Sequence, residues 1–336
     1  MSGDDTQTTG IARRGMQASL MVHRLKIENI RDASRVIDPV FLDTPQFVAE
    51  SLSHLFGARI VVKVETVNPV RCFKGRGADY FVSRLKDGER LITASAGNLG
   101  QAMAYACRRR GIHLTVYAST KANPFKIDRM RALGADVVLV GNDFDDAKIE
   151  SKLAAARLGV RRVEDSLDVE TGEGAGTIGL ELAAFHEPLD AVLAGFGNGA
   201  LACGVGVYLK HASPHTRIIA VQAAGAPAMI ESWQRGKIVN YDSISTIADG
   251  IGVRIPIPEC VEDMKGVIDE GFLVKDETLL EAMRLAHQHL GLVLEPSGAA
   301  GLAALIENQT AFAGKSVAII LCGGNLTPDQ IRNWLA

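Results

Sequence analysis

A lysine set among small residues is the first position in this chain that invites chemistry. Lys74 lies in the run Asn68-Pro69-Val70-Arg71-Cys72-Phe73-Lys74-Gly75-Arg76-Gly77-Ala78, ahead of a helix expected from near Ala78. Burial lowers the pKa of an amine and frees it to form a Schiff base with a carbonyl. A surface lysine beside Arg76 is the plainer reading of the same residues. Ser95-Ala96-Gly97-Asn98 stands between an expected strand and an expected helix. Small residues there expose N–H groups at a helix start, which suit a carboxylate or phosphate, although Ser95 or Asn98 could equally serve as a helix cap. Gly195-Phe196-Gly197-Asn198-Gly199-Ala200-Leu201 is a second such junction. It lacks the third glycine of a dinucleotide fingerprint, because Ala202 fills that place, and it lacks a P-loop Lys-Ser/Thr. A generic phosphate site or a tight turn remains. Leu321-Cys322-Gly323-Gly324-Asn325 ends the last expected strand. It reads either as a glycine turn with a buried thiol or as a small polar group aimed at a bound ring.

These loops need elements to hold them. Strands are expected at Arg59–Glu65, Leu91–Ala94, His113–Ala118, Asp136–Val140, Leu189–Ala194, Arg217–Gln222 and Ser316–Leu321. Helices are expected at Asn98–Arg110, Pro124–Leu133, Asp143–Leu158, Ala200–His211, Asp276–Leu290 and Pro328–Leu335, with Gly134 a helix stop. Strands alternating with helices imply parallel sheets covered on both faces. Ligands bind such sheets at the carboxyl ends of the strands, where all these loops fall. The fold class expected is α/β: two open twisted mainly parallel sheets with helices on both faces. The expected organisation is a tail at 1–16, a large domain of 17–85 plus 161–336, and a small one of 86–160 inserted in it.

Composition narrows the function. The 36 basic and 39 acidic side chains nearly cancel, leaving a net charge of −3 and no electrostatic reason to expect nucleic acid or an anionic membrane. The five cysteines are scattered without CxxC spacing, so neither a disulfide framework nor a zinc site is expected, and a reducing, cytoplasmic setting is. No secretory signal is visible after Arg13-Arg14. The apolar run Ala191–Tyr208 holds Asn198 and several glycines and is read as a strand followed by a helix, not a membrane span. His54, His113 and the Arg108–Arg110 run are read as ordinary solvated positions. The segments Glu164–Glu173 and Tyr241–Pro258 carry little pattern.

A Schiff-base lysine, a phosphate cradle, a carboxylate loop and a partner for a ring nitrogen together meet the needs of a pyridoxal phosphate enzyme. From about Thr44 to Pro328 the chain resembles the fold-type II pyridoxal-phosphate enzymes, and within them the serine/threonine dehydratases. Cys72-Phe73-Lys74-Gly75-Arg76-Gly77-Ala78 is similar to S-F-K-x-R-G-A, Ser95-Ala96-Gly97-Asn98 to S-[AS]-G-N, Gly197-Asn198-Gly199-Ala200-Leu201 to the tetraglycine loop, and Cys322-Gly323-Gly324-Asn325 to [SC]-G-G-N. Gly176–Glu181, Ala248–Gly250 and Glu295–Gly298 agree as well. The resemblance implies pyridoxal 5'-phosphate carried on Lys74, which is also the catalytic base. It implies further cofactor contacts from Phe73, Asn98, Gly197, Asn198, Gly199, Ala200, Leu201, Gly250, Glu295, Cys322 and Gly323, and a substrate carboxylate held by Ser95, Ala96, Gly97 and Asn98. A small amino-acid substrate and a homodimer are implied too. The reaction implied is β-elimination of a β-hydroxy amino acid such as L-threonine or L-serine to a 2-oxo acid and ammonia. A 3-hydroxyaspartate-type dehydratase, a β-replacement enzyme related to cysteine synthase, and a retired cofactor-binding protein are the alternatives.

Departures from the family pattern inform as well. Cys72 replaces the usual Ser, Gly75 a larger residue and Leu99 a His, while Asn198 and Ala200 interrupt the glycine run. Racemases of the family carry a Ser as second acid/base where this chain has Ala96, and a methyl group moves no proton. Where some relatives hold a divalent metal, this chain has Gln222-Ala223-Ala224-Gly225-Ala226-Pro227 with no carboxylate, so no metal is expected. The chain ends soon after Asn325, so the amino-acid-binding regulatory module of the biosynthetic members is not expected.

Overall fold

The computed structural model describes residues 23–335. The tail expected at 1–16 lies outside them. Ten strands form two sheets: β1 (Gln46–Val48), β2 (Arg59–Val64), β3 (Arg90–Ala94), β4 (His113–Ala118), β5 (Asp136–Leu139), β6 (Arg161–Val163), β7 (Ala191–Gly195), β8 (Arg217–Ala223), β9 (Glu270–Val274) and β10 (Ser316–Leu321). The larger sheet runs β1-β2-β10-β7-β8-β9 and the smaller β5-β4-β3-β6. Every pairing is parallel except β1 with β2. This is the α/β architecture expected.

The central strands explain themselves. β7 and nearly all of β2, β8 and β10 are buried, and apart from Lys63 in β2 and Gln222 in β8 their buried residues are apolar, as helices on both faces require. Alternate residues feed opposite cores: Ile60, Val62 and Val64 pack with Leu279, Met283 and Leu302 on one face, while Val61 joins Ile178, Leu182 and Val205 on the other. A third core, built around Leu91, Leu114, Val116, Met103 and Phe81, supports the smaller sheet. The apolar run from Ala191 divides into β7 and the helix Ala200–Ala212, and among the described residues no helix is long and apolar enough to cross a membrane.

Three sequence expectations change. The helix expected near Ala78 begins at Lys74, with Arg76 N–H donating to Phe73 C=O at 3.1 Å. The poorly patterned Glu164–Glu173 leads into a helix, Val169–Ala183, whose glycines are contact points and not breaks. A Cβ on Gly77 would lie 2.3 Å from Thr171 C=O, and one on Gly174 2.6 Å from Arg76 C=O, so the helices Lys74–Ser83 and Val169–Ala183 cross backbone to backbone. The Arg108–Arg110 run is not merely solvated: Arg110 Nε donates to the fully buried carboxylate of Asp79 at 3.2 Å, and Arg109 pairs with Asp38 at 2.7 Å. A buried carboxylate needs such partners, and they come from far along the chain.

Candidate active site

A cavity of about 510 Å³ opens where β3, β6, β7 and β10 end. Phe73, Lys74, Ser95, Ala96, Gly97, Asn98, Gly197, Asn198, Gly199, Ala200, Leu201, Gly250, Glu295 and Cys322 all line it. Of the residues singled out from sequence, Gly323 alone is not on the wall. It lies behind Cys322, where a Cβ would come 2.2 Å from the Glu295 carboxylate, and it bridges to Cys72.

Lys74 is the first residue of its helix, with its ammonium 4.7 Å from the centre of the Phe73 ring. Its Nζ donates to Asp165 Oδ2 at 2.5 Å. Behind it, Arg76 is wholly buried and bonds Glu65 at 2.8 Å, Glu181 at 2.5 Å, Thr177 at 2.9 Å and Thr44 at 3.0 Å, while Lys63 also pairs with Glu181. Burial would raise the Glu181 carboxyl, but the Arg76 guanidinium and then Lys63 outweigh it and hold its pKa below the ordinary value. Five polar groups thus fix the first turn that carries Lys74.

Ser95 Oγ accepts from Gly97 N–H at 3.2 Å and Gly100 N–H at 3.0 Å. Its hydroxyl proton is left to donate to an anion in the cavity. Asn98 is held on both sides: Nδ2 donates to Glu295 at 2.5 Å, and Oδ1 accepts from Asn325 at 2.8 Å. Arg129 in turn donates to Asn325 at 2.5 Å. Glu295 is buried, and burial first and the Asp249 charge second push its carboxyl up to about 7, against Lys126 and the Asn98 bond.

The cradle is built by Gly199, which caps the helix Ala200–Ala212 at φ +106°, a conformation glycine alone adopts freely. The first-turn N–H groups of a helix have no acceptor within the helix, and its dipole favours an anion there. Ser166 Oγ takes the N–H of Ala200 at 3.0 Å. Among the described residues Asn198 Oδ1 and Ser297 Oγ are buried without a hydrogen-bond partner, which buried polar atoms seldom tolerate unless a ligand supplies one. Cys322 is buried with its thiol held far above its ordinary pKa by burial, so it faces the cavity as a neutral group. An amine, an anion cradle, polar atoms awaiting partners and a neutral thiol fit pyridoxal phosphate.

Sequence reasoning missed Asp165, Lys126 and Lys148, all of which line the cavity. Lys126 pairs with Asp249 at 2.5 Å, and Lys148 with Glu164. No local pattern marks them, since each joins the site through a distant contact.

Comparison with known proteins agrees with this geometry. The family model described as "Pyridoxal-phosphate dependent enzyme" matches residues 37–323. The L-threonine ammonia-lyase of Thermotoga maritima is 34% identical over 310 residues, spanning 91% of this chain and 77% of the relative. Among solved structures, the processed form of threonine deaminase isoform 2 from Solanum lycopersicum superposes with a TM-score of 0.84 at 29% identity, covering 93% of this chain and 90% of that one. Maize serine racemase superposes at 0.87 with 27% identity, covering 92% and 96%. With lysine, cradle and thiol gathered round one cavity and the family's pattern running through most of its length, the chain belongs to the pyridoxal-phosphate dependent enzymes.

Proposed function

We propose that the protein is an ammonia-lyase that eliminates the β-substituent of a β-hydroxy amino acid, L-threonine or L-serine, to give a 2-oxo acid and ammonia. The observation that carries this is the convergence of Lys74, the Ser95–Asn98 loop and the Gly197–Leu201 cradle on one cavity. When bound, pyridoxal phosphate supplies the electron sink for bonds at the amino acid's Cα. The protein's residues do the rest. The Gly197–Leu201 cradle, at the start of the helix Ala200–Ala212, would hold the phosphate. Ser95, through its hydroxyl, and Asn98, locked by Glu295 and Asn325, hold the substrate carboxylate. The Lys74 amine takes the Cα proton. Cys322, neutral through burial, is the residue that would face the cofactor's ring nitrogen, where a carboxylate would instead favour transamination. Ala96 lines the cavity with a methyl group and brings no proton to the opposite face, which supports elimination over racemisation. L-threonine is named by the relatives at 30–34% identity.

The finer expectations follow the resemblance. We take the residues near 86–160 to act as the substrate-carboxylate unit and the enzyme to be a cytoplasmic homodimer, which sedimentation would read as twice the 35.9 kDa chain. The five unpaired cysteines support a reducing compartment. The test of function is 2-oxo acid release from a panel of β-hydroxy amino acids. Lys74→Ala is expected to lower it by at least about 10³-fold and to abolish the visible absorbance of lysine-bound cofactor. Release unchanged in that variant would refute the assignment.

A further inference from the structure

Asp165 follows β6 and stands on the cavity wall. Its Oδ2 accepts from Lys74 at 2.5 Å, while its Oδ1 is buried and has no hydrogen-bond partner among the described residues. The other cations on that wall are taken. Arg162 donates to Glu164 at 2.7 Å, Lys148 pairs with Glu164 too, and Lys126 pairs with Asp249. Among the described residues Lys74 is the one cation in contact with Asp165, and it is a temporary one, because its nitrogen is the atom that bonds the cofactor. Lys74 fills at most part of the acceptor capacity of Oδ2, so Asp165 is short of donors whether that nitrogen is engaged or released. A partly desolvated carboxylate without a donor is costly, and a substrate group that donates to it is correspondingly favoured.

We infer that Asp165 sets which β-substituent the site accepts: a hydrogen-bond donor, neutral or cationic, is taken, and a β-carboxylate is turned away, so that a 3-hydroxyaspartate-type amino acid is not a substrate. This rests on the function proposed above. The nitrogen that takes the Cα proton must lie beside Cα, and Asp165 bonds that same nitrogen. A group one bond further out, on Cβ, therefore comes within reach of the Asp165 carboxylate, whose Oδ2 faces that nitrogen. A β-hydroxyl that donates there is oriented for departure, whereas a β-carboxylate meets a like charge.

The test compares wild-type holoenzyme with Asp165→Asn, which keeps size and shape, and with Asp165→Ser as a second variant. The first reading is kcat/KM for L-serine relative to 3-hydroxyaspartate. Taking the ratio cancels any effect of the change on Lys74 itself. The wild type is expected to favour L-serine strongly, and the variants to shrink that preference roughly tenfold or more, mainly through KM for the acidic substrate. The second reading needs no turnover: L-alanine and L-aspartate are titrated against the cofactor absorbance. The variants are expected to tighten L-aspartate relative to L-alanine by a similar factor. Ratios unmoved in both readings would overturn the role of Asp165. If the wild type releases no 2-oxo acid from any amino acid, the proposed function fails, and the binding ratio still decides whether Asp165 sets the charge preference.

Discussion

Glu295 is a buried carboxyl group on the cavity wall, bonded by Asn98 and by the N–H of Asn325. Its pKa stands at about 7 in the folded protein against an ordinary 4.5, so folding favours the protonated form. Its contribution to stability is complete below about pH 4.5 and is lost as pH rises through about 7, a change on the order of 3 kcal/mol at the alkaline limit. Glu295→Gln retains an acceptor for Asn98 and cannot ionise. The unfolding midpoint of the cofactor-free protein should therefore fall between pH 5.5 and 8 more steeply in the wild type than in this variant. Equal slopes would show that Glu295 does not titrate in that window. At this scale the sequence was legible where a residue's neighbours in the chain define its setting. Lys74, Asn98 and Gly199 announce themselves by lying among small residues at the starts of helices. Asp165 does not: its chemistry comes from a partner 91 residues away, inside a segment with no periodic pattern.

The element that matters most is the helix Lys74–Ser83. Its start is fixed by Arg76, whose guanidinium is enclosed by Glu65, Glu181, Thr44 and Thr177. Removing that guanidinium leaves Glu65 without a cationic partner and Glu181 with Lys63 alone, among the described residues. Arg76→Ala should cost about 3–5 kcal/mol in denaturant unfolding. A loss below about 1 kcal/mol would show that the network is not what holds this turn. The four inner strands of the larger sheet, β2, β10, β7 and β8, were readable because burial on both faces leaves long apolar runs, as in β7 and β10, whereas the edge strand β9 was not. The helix Val169–Ala183 was not, because glycines that usually mark loops serve here to bring Thr171 and Gly174 against Gly77 and Arg76. Nor was β1, a three-residue edge strand whose pairing with β2 is decided by the sheet and not by its own sequence.

Across the whole molecule, the cavity sits on the seam between the two sheets, and polar contacts stitch that seam. Asn98 meets Glu295, Arg129 meets Asn325, Lys126 meets Asp249, and Arg254 meets Asp145. In each pair one partner lies within residues 98–145, the stretch that follows β3 and carries β4 and β5, and the other lies beyond β8. The Ser95–Asn98 loop and the Gly197–Leu201 loop thus reach the same cavity from different parts of the chain, an arrangement that suits the proposed reaction, which needs an amino acid held at both ends. The near-neutral charge of the chain suits a zwitterionic substrate equally. The central claim is elimination without a second substrate. It is tested most directly by incubating the holoenzyme with L-threonine or L-serine alone and counting both products. The account predicts 2-oxo acid and ammonia in equal amounts, with no added nucleophile required. Product formation only when a thiol is supplied, with no 2-oxo acid in its absence, would contradict it and identify a β-replacement enzyme.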